Sequence, residues 1–409
     1  MKQCVFLTSR YPYGKTESFI ENEISFLSNC FGNVIIISLD SGKGERRKIP
    51  NNVNVFSLGI WDNHFLKPLR VLFGLLIRIK QCHFTGKGIK ALIQYWFDKG
   101  TSIMIYRRIN TIIKRNTIKL NECVFYSYWL DNNAAAISLF KQKKDRGHEA
   151  IYISRAHGSD LYSERTPFNY LPMQNYCVSN LDYVFPISKH GEQYLKDKYP
   201  LYSNKIKSFY LGTSDHGLSK YQSNNQISFL TCSNIIPLKR LDVFAEAFCE
   251  LSKRFNVKWF CIGSGSDENK IKKIIFDNKC TEYVAFMGRL SNMDVMSFYK
   301  KNNISYFVNV SKYEGLPVSI MEAMSFGVPS IATNVGAVNE IVNDENGFLI
   351  QGSSKESILT TLEKACSLGK EEENLLRVTA RKMWEIKFED KLNYQSFYNY
   401  ISKEVQKND

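Results

Sequence analysis

Runs of β-branched and aromatic residues alternate along the chain with amphipathic stretches, and the alternation predicts repeated strand, helix, strand units. Val5–Leu7 reads as a first strand, Tyr11–Ser18 as a loop, Phe19–Asn29 as an amphipathic helix and Val34–Leu39 as a second strand. This is a βαβ opening, with Gly14 in its first loop to supply turn geometry. Further strands are predicted at Val124–Tyr128, Ile151–Ser154 and Tyr183–Ile187, the last ending in Ser188, which opens a helix over Lys189–Lys198. Phe209–Thr213 closes a first half, and the polar run Ser214–Gln226 reads as an exposed linker.

A second α/β unit begins at Ile227. Its pattern predicts strand Ile227–Cys232, loop Ser233–Arg240, a helix from Leu241 or Asp242 to Phe255, strand Lys258–Ile262, helix Asn269–Asp277 and strand Val284–Met287. Alternation at this spacing means a parallel sheet flanked by helices. Gly263 and Gly265 give a weak dinucleotide hint, since the third glycine of G-x-G-x-x-G is replaced by Glu268. Ser354–Asp409 looks helical throughout.

The stretch Ser305–Leu349 is the most informative. A buried-strand run, Tyr306–Val310, leads into the polar turn Ser311–Gly315; Pro317 fits a first helical position, and Gly327 with Pro329 marks the helix stop. The free amides of Gly315, Leu316 and Val318 and the helix dipole favour an anion there, with phosphate the natural occupant. Glu314 and Glu322 are eight residues apart, about 80° round an ideal helix, with Glu314 in the loop and Glu322 one to two turns into the helix. A carboxylate at each place can accept hydrogen bonds from sugar hydroxyls on either side of a phosphate. For the bare pair, capping and a solvated helix face remain the alternative. His157 stands in a Gly-containing turn after a predicted strand, where open α/β sheets place ligands, although a solitary His is also a common structural residue. Asp160 reads as a cap for a following helix. Lys239 and Arg240 at a helix start oppose the dipole, which points to an anionic partner.

SKYEGLPVSIMEAMSFGVPSIATNVGAVNEIV resembles the E-x7-E region of a large retaining glycosyltransferase group, retaining glycosyltransferase family 4. YPYGKTESFIENEI, RAHGSD, TCSNIIPLKRLDVFAEAF, CIGSGSDENKIKKI and VAFMGRLSN are similar to further segments of it. The resemblance is strong in the second half and thin between residues 40 and 150. It implies a GT-B fold, two facing Rossmann-like doubly wound α/β domains with a cleft between them. Expected boundaries are 1–213 for an acceptor-binding domain, 214–380 for a donor-binding domain, and 381–409 for a helix returning to the first domain, with Trp384 and Phe388 as anchors. It also implies that His157, Glu314 and Lys239 serve the reaction: His157 and Glu314 on the transferred sugar, Lys239 on the donor diphosphate. Gly14, Asn234, Arg240, Gly263, Gly265, Arg289, Gly315, Leu316, Pro317, Val318 and Glu322 complete the donor site, Glu322 on the ribose. Asn234 departs from the pattern, because many members carry Arg there; Arg240 is expected to supply part of that charge.

Composition narrows the setting. A chain of 409 residues implies two domains, and 44% hydrophobic with 13% aromatic content is that of a well-cored globular protein. Ten cysteines without CxxC or Cys/His spacing predict reduced thiols and no metal site. MKQCVFLTSRYPYG begins with a strand-like run and shows no long apolar segment followed by a small-residue cleavage site, and no apolar run approaches the roughly 18 residues that cross a bilayer. The expectation is a cytoplasmic protein, soluble or peripheral on the inner face of the membrane. The net charge of +14 is concentrated: from His64 to Leu120 stand twelve Lys and Arg against Asp98 alone, a local +11, interleaved with Leu, Ile, Phe and Trp. That pattern predicts basic amphipathic helices for an anionic membrane surface, or core helices whose cations face water. A nucleic-acid motif is lacking.

The combined expectation is a hexosyltransferase that retains anomeric configuration. Its donor would be a nucleotide-sugar, UDP- before GDP-, and its acceptor a saccharide, lipid-linked, in cell-surface polysaccharide synthesis. No D-x-D occurs, so neither a metal nor a cofactor is expected. The rivals are a UDP-sugar 2-epimerase-like enzyme and a non-catalytic nucleotide-sugar-binding protein of the same fold. Sugar, base, acceptor, linkage and oligomeric state are not encoded in readable motifs.

Overall fold

The computed structural model describes residues 3–14, 16–17, 19–60, 67–147, 149–221 and 226–406. Lys15 and Ser18 of the first loop, His64 and Leu66 of the basic segment, and 222–225 of the linker lie outside them. The chain separates into two compact units: residues up to Tyr210 together with those from Tyr394 on, and Leu211–Asn393.

The first unit runs β1 (Gln3–Thr8), α1 (Ile20–Cys30), β2 (Asn33–Ser38), β3 (Val53–Ser57), α2 (Lys67–Leu76), α3 (Gly88–Arg115), β4 (Cys123–Ser127), α4 (Asn132–Lys144), β5 (Ile151–Ala156), α5 (Gln174–Asn180), β6 (Tyr183–Pro186) and α6 (Lys189–Lys198). Among the described residues these strands form one six-stranded sheet in the order β3-β2-β1-β4-β5-β6, with parallel pairing. Helices cover both faces, so the central strands are buried on both sides and read as continuous apolar runs.

The second unit runs β7 (Ile227–Cys232), α7 (Leu241–Leu251), β8 (Val257–Ile262), α8 (Glu268–Asp277), β9 (Val284–Gly288), α9 (Asn292–Lys301), β10 (Tyr306–Asn309), α10 (Val318–Ser325), β11 (Ser330–Thr333), β12 (Gly347–Ile350), α11 (Lys355–Cys366) and α12 (Lys370–Lys387). Its sheet order is β12-β11-β10-β7-β8-β9, again parallel. Both sheets therefore start in the middle and reverse direction once, β1/β4 in one and β7/β10 in the other. Crevices at such reversals are where doubly wound sheets bind ligands.

A last helix, α13 (Asp390–Gln406), belongs to the first unit from Tyr394 onward. Tyr398 donates to the buried Glu23 carboxylate at 2.7 Å, Glu23 faces the Arg155 guanidinium at 3.6 Å, and Arg155 lies 4.0 Å over the Phe397 ring. The expected anchors Trp384 and Phe388 are not in this contact. Trp384 donates to Thr213 Oγ1 at 2.8 Å and the Phe388 carbonyl accepts from the Thr213 amide, both inside the second unit. The aromatic residues one to three turns later do the anchoring instead, because the helix carries them on the face that meets Glu23 and Arg155.

The linker is exposed at Asp215, Gly217, Leu218 and Lys220 as expected, and it is also held: Asp215 pairs with Arg381 at 2.8 Å, Ser219 donates to the Phe326 carbonyl, and Tyr221 meets Glu373. Two further expectations are corrected. Cys249 of α7 is disulfide-bonded to Cys280, the packing of α7 beside α8 placing their Cα atoms 5.8 Å apart, so the thiols are not all reduced. Pro317 is the cap of α10 rather than its first residue, since its ψ of 114° is extended.

Candidate functional site

The reversal between β7 and β10 brings two loops together. The Lys312 amide donates to the Leu238 carbonyl at 2.9 Å, which aligns the loop after β10 with the loop after β7. That alignment puts Lys239 Nζ 2.6 Å from Glu314 Oε1, across 75 residues of sequence. Asn309, the last residue of β10, fixes the same carboxylate: its Nδ2 donates to Glu314 Oε1 at 3.2 Å while its Oδ1 accepts from the Ser311 amide at 3.1 Å. The pair is largely buried, so its charges are less screened than on an open surface.

Glycine-dependent backbone contact shapes the first of these loops. A Cβ on Gly263 would lie 1.9 Å from the Ser233 carbonyl oxygen, and one on Gly265 would lie 2.1 Å from that of Ile235. The two glycines thus buttress the loop that carries Asn234, Lys239 and Arg240. Asn234 is exposed. Arg240 has left-handed backbone, φ 53°, and its guanidinium is held on the Ser353 carbonyl, away from the Lys239–Glu314 pair. Arg289 is exposed just after the edge strand β9, two strands from β7.

Beyond Glu314 the chain turns into α10. Gly315 uses its carbonyl to accept from the Ala337 amide at 3.2 Å, so the loop after β11 closes on it. Among the described residues, no acceptor takes the amides of Gly315, Leu316 and Val318. The other end of α10 is closed: Val328 donates to the Ala323 carbonyl and Gly327, at φ 70°, to that of Met324, a Schellman stop. Glu322, in the second turn, accepts from Asn292 Nδ2 at 2.7 Å, and burial pushes its carboxyl up to about 7. The second unit therefore presents open amides, one lysine and two carboxylates on adjoining segments of one polypeptide.

In the first unit, His157 follows β5. Its ring packs tilted among Trp129, Tyr128 and Phe19, at 4.4, 4.9 and 6.1 Å between centroids; neither buried ring nitrogen makes a hydrogen bond among the described residues, and Nδ1 lies 3.6 Å from Asp160 Oδ2. Asp160 caps no helix. It accepts from the His157 amide at 2.7 Å and the Leu130 amide at 2.8 Å, tying the loops after β5 and β4 together. Gly14, at φ 66°, offers its carbonyl to Arg47 at 2.8 Å.

The residue most absent from the sequence reading is Glu17. Its carboxylate accepts from the amides of Ser9, Arg10 and Tyr11 at 3.2, 2.7 and 2.7 Å, and also from the Trp129 indole. Nothing in YPYGKTES marks it, because the contacts need a left-handed residue at φ 57° and an indole 112 residues away, in the loop after β4. Asn309 was missed likewise; a polar residue closing an apolar strand was its one available signal.

Residues 219–383 match the model of glycosyl transferases group 1. The UDP-N-acetylglucosamine–peptide N-acetylglucosaminyltransferase GtfA subunit of Streptococcus pneumoniae is 24% identical over 238 residues, 55% of this chain and 46% of that protein. The capsular polysaccharide biosynthesis glycosyltransferase CapM of Staphylococcus aureus is 30% identical over 235 residues, 54% of this chain and 55% of that one. In these alignments the chain spans about half the length of the curated relatives. The solved structure of the pneumococcal O-GlcNAc transferase GtfA with UDP and GlcNAc superposes with a TM-score of 0.67 at 14% identity, covering 100% of this chain and 99% of that one. The chain thus has the GT-B fold of these glycosyltransferase structures, and its residues 219–383 are similar to the glycosyl transferases group 1 domain.

Proposed function

We propose that the protein is a retaining, metal-independent hexosyltransferase. It would move a sugar from a nucleoside diphosphate-sugar, UDP- before GDP-, to a lipid-linked saccharide during the building of a cell-surface polysaccharide. The observation that carries the reading is the Lys239–Glu314 pair beside the unclaimed amides at the start of α10. A diphosphate leaving group gains charge as the anomeric C–O bond breaks, and fixed amide dipoles with one lysine stabilise that charge without rearranging. Glu314, released from Lys239 once phosphate takes the lysine, is free to accept from hydroxyls of the transferred sugar. Glu322 accepts from the ribose hydroxyls. His157, whose Nε2 is buried without a hydrogen-bond partner, serves a further sugar hydroxyl. The new glycosidic bond forms on the face the diphosphate leaves, and a phosphate oxygen takes the acceptor proton.

The names of relatives support donor and setting. GtfA acts with UDP-N-acetylglucosamine and CapM serves capsular polysaccharide, so a UDP-sugar and a surface polymer are the natural first choices here. The basic segment 64–120 supports a lipid-linked acceptor presented at an anionic membrane surface.

The test is thermal stabilisation by UDP-, GDP- and CMP-sugars and NAD, with Glu322→Ala in parallel. A ligand at about 100 times its dissociation constant stabilises by roughly 2.7 kcal/mol. A UDP-sugar response that the variant loses is expected. A folded protein that responds to none of the panel would overturn the reading.

A further inference from the structure

Helix α2 is inverted. Its buried residues are Arg70 and Gly74, whereas Leu69, Leu72, Leu75 and Leu76 are exposed, Leu76 to 68% against 2% for Arg70. On a 3.6-residue helix the four leucines fall within about 120°, opposite Arg70 and Gly74. The inward face has a definite partner in α3. A Cβ on Gly74 would lie 1.7 Å from the Trp96 carbonyl oxygen, one on Gly100 1.7 Å from that of Arg70, and the Arg70 guanidinium lies 5.2 Å over Phe97. These contacts lock the rotation of α2, so the leucines cannot turn inward. An amphipathic helix held with its apolar side to solvent needs a cover, because a contiguous exposed apolar stripe is unfavourable in water.

The charge around the stripe says what covers it. Of the twelve cations in the segment, Lys67, Arg78, Lys80, Lys87, Lys90, Arg107, Arg108, Lys114, Arg115 and Lys119 are exposed, and among the described residues none of these ten is in an ion pair. The lone acid, Asp98, is turned to Gln94 and Asn132 at 2.9 and 3.2 Å. The antiparallel contacts of α2 with α3 bring the first turns of α3, with exposed Ile89 and Ile93, to the Leu76 end of α2. An exposed leucine face on a segment whose exposed lysines and arginines are in no ion pair among the described residues complements a surface with an apolar interior and anionic headgroups.

We infer that the Leu69, Leu72, Leu75 and Leu76 face of α2 inserts into the headgroup region of an anionic phospholipid surface, with the surrounding cations on the lipid phosphates. The inference deepens, and for its purpose rests on, the reading of the acceptor as lipid-linked. It adds a contact that salt does not screen: apolar insertion persists where lysine attraction fades. No described helix is long and apolar enough to cross a membrane, so the contact stays interfacial.

The experiment is sedimentation of the full chain with phosphatidylcholine vesicles, with and without phosphatidylglycerol, at low and at high salt. Size-exclusion light scattering and the UDP thermal response accompany it. Wild type is expected to bind the anionic vesicles and to keep a salt-resistant remainder. The pair Leu72→Glu and Leu76→Glu should abolish that remainder and weaken binding by about ten-fold or more. Lys80→Glu with Lys87→Glu should weaken only low-salt binding, roughly five-fold per residue. These four side chains are exposed and outside the donor machinery, so the variants should fold and respond to UDP as wild type does. Equal binding to neutral and anionic vesicles, or no effect of the leucine pair, overturns the inference. So does a wild-type dimer that the leucine pair converts to monomer. Vesicle binding without any nucleotide response would instead sink the transferase reading and leave this one standing.

Discussion

The two units build the same reversal into their sheets and fill it differently. After β1, the amides of Ser9, Arg10 and Tyr11 converge as they would on a phosphate, yet their occupant is the chain's own Glu17 carboxylate, which also takes the Trp129 indole. After β10, the amides of Gly315, Leu316 and Val318 have no acceptor among the described residues, and the nearby charge is a lysine paired with Glu314. The first set of amides is neutralised from within, which disfavours a second anion; the second set is left unclaimed. One topology thus yields a crevice with free amides and a crevice whose amides are taken, and a single glutamate makes much of the difference. A crevice of about 360 Å³ on the first unit has Asp98, Asp131 and Asp160 in its lining and neither lysine nor arginine.

The largest effect is expected where the open cradle loses its cation. Lys239→Met should lower kcat/KM about 100-fold or more, as removal of one charge-stabilising donor does, and should erase the UDP thermal shift; an unchanged nucleotide response would break the comparison. Gly263→Ala, forced against the Ser233 carbonyl at φ 140°, should cost about 3 kcal/mol in denaturant unfolding. Glu17→Gln should cost about 2 kcal/mol, because it weakens charge-assisted bonds from three amides. In that variant the shift caused by UDP should persist, and a lost shift would mean that the two cradles are not independent.

A pH series sharpens the carboxylate side of the comparison. Burial raises Glu322 to about 7, so its neutral form dominates below that pH and its ionised form above. Hydroxyl donors need the ionised form, so donor affinity should rise as pH rises through about 7 and level off beyond. The free protein goes the other way: a raised carboxyl contributes stability at pH below the ordinary carboxylate value and loses it as pH rises through the folded value. Glu322→Gln should flatten both trends, as followed by isothermal titration and by thermal unfolding across pH 5 to 8. The smallest expected effect is Gly327→Ala, about 1 kcal/mol for a non-glycine residue at the left-handed end of α10.

Much of the second unit is legible in its residues. Apolar runs bounded by polar residues or glycines marked β7, β8, β9 and β10, and Pro317 with Gly327 bracketed α10 to within a residue. The first unit was harder. β3 is only partly buried and reads VNVFS, and α4 begins NNAAAISLF, apolar on nearly every side because it is buried all round, so neither carries a clear period. β11 and β12, four residues each, are too short to stand out within the signature stretch. The basic segment was visible as charge and apolar spacing, but the inversion of α2 was not, since only the glycine contacts with α3 decide which face turns inward.

By itself the amino-acid sequence determined two α/β units, a strand, polar turn and helix start at Tyr306–Val318, and, through its resemblance to a glycosyltransferase family, Glu314, Glu322, Lys239 and His157 as the residues to examine. The units and the helix start are local matters of period and turn chemistry. Tertiary structure decided the rest: that Lys239 and Glu314 meet across 75 residues, that Glu17 reaches Trp129 across 112, and that Glu23, Arg155 and Tyr398 close the last helix onto the first sheet. Charged groups find partners by distance in space, and a chain that reverses its sheet order twice brings together residues that no local pattern relates.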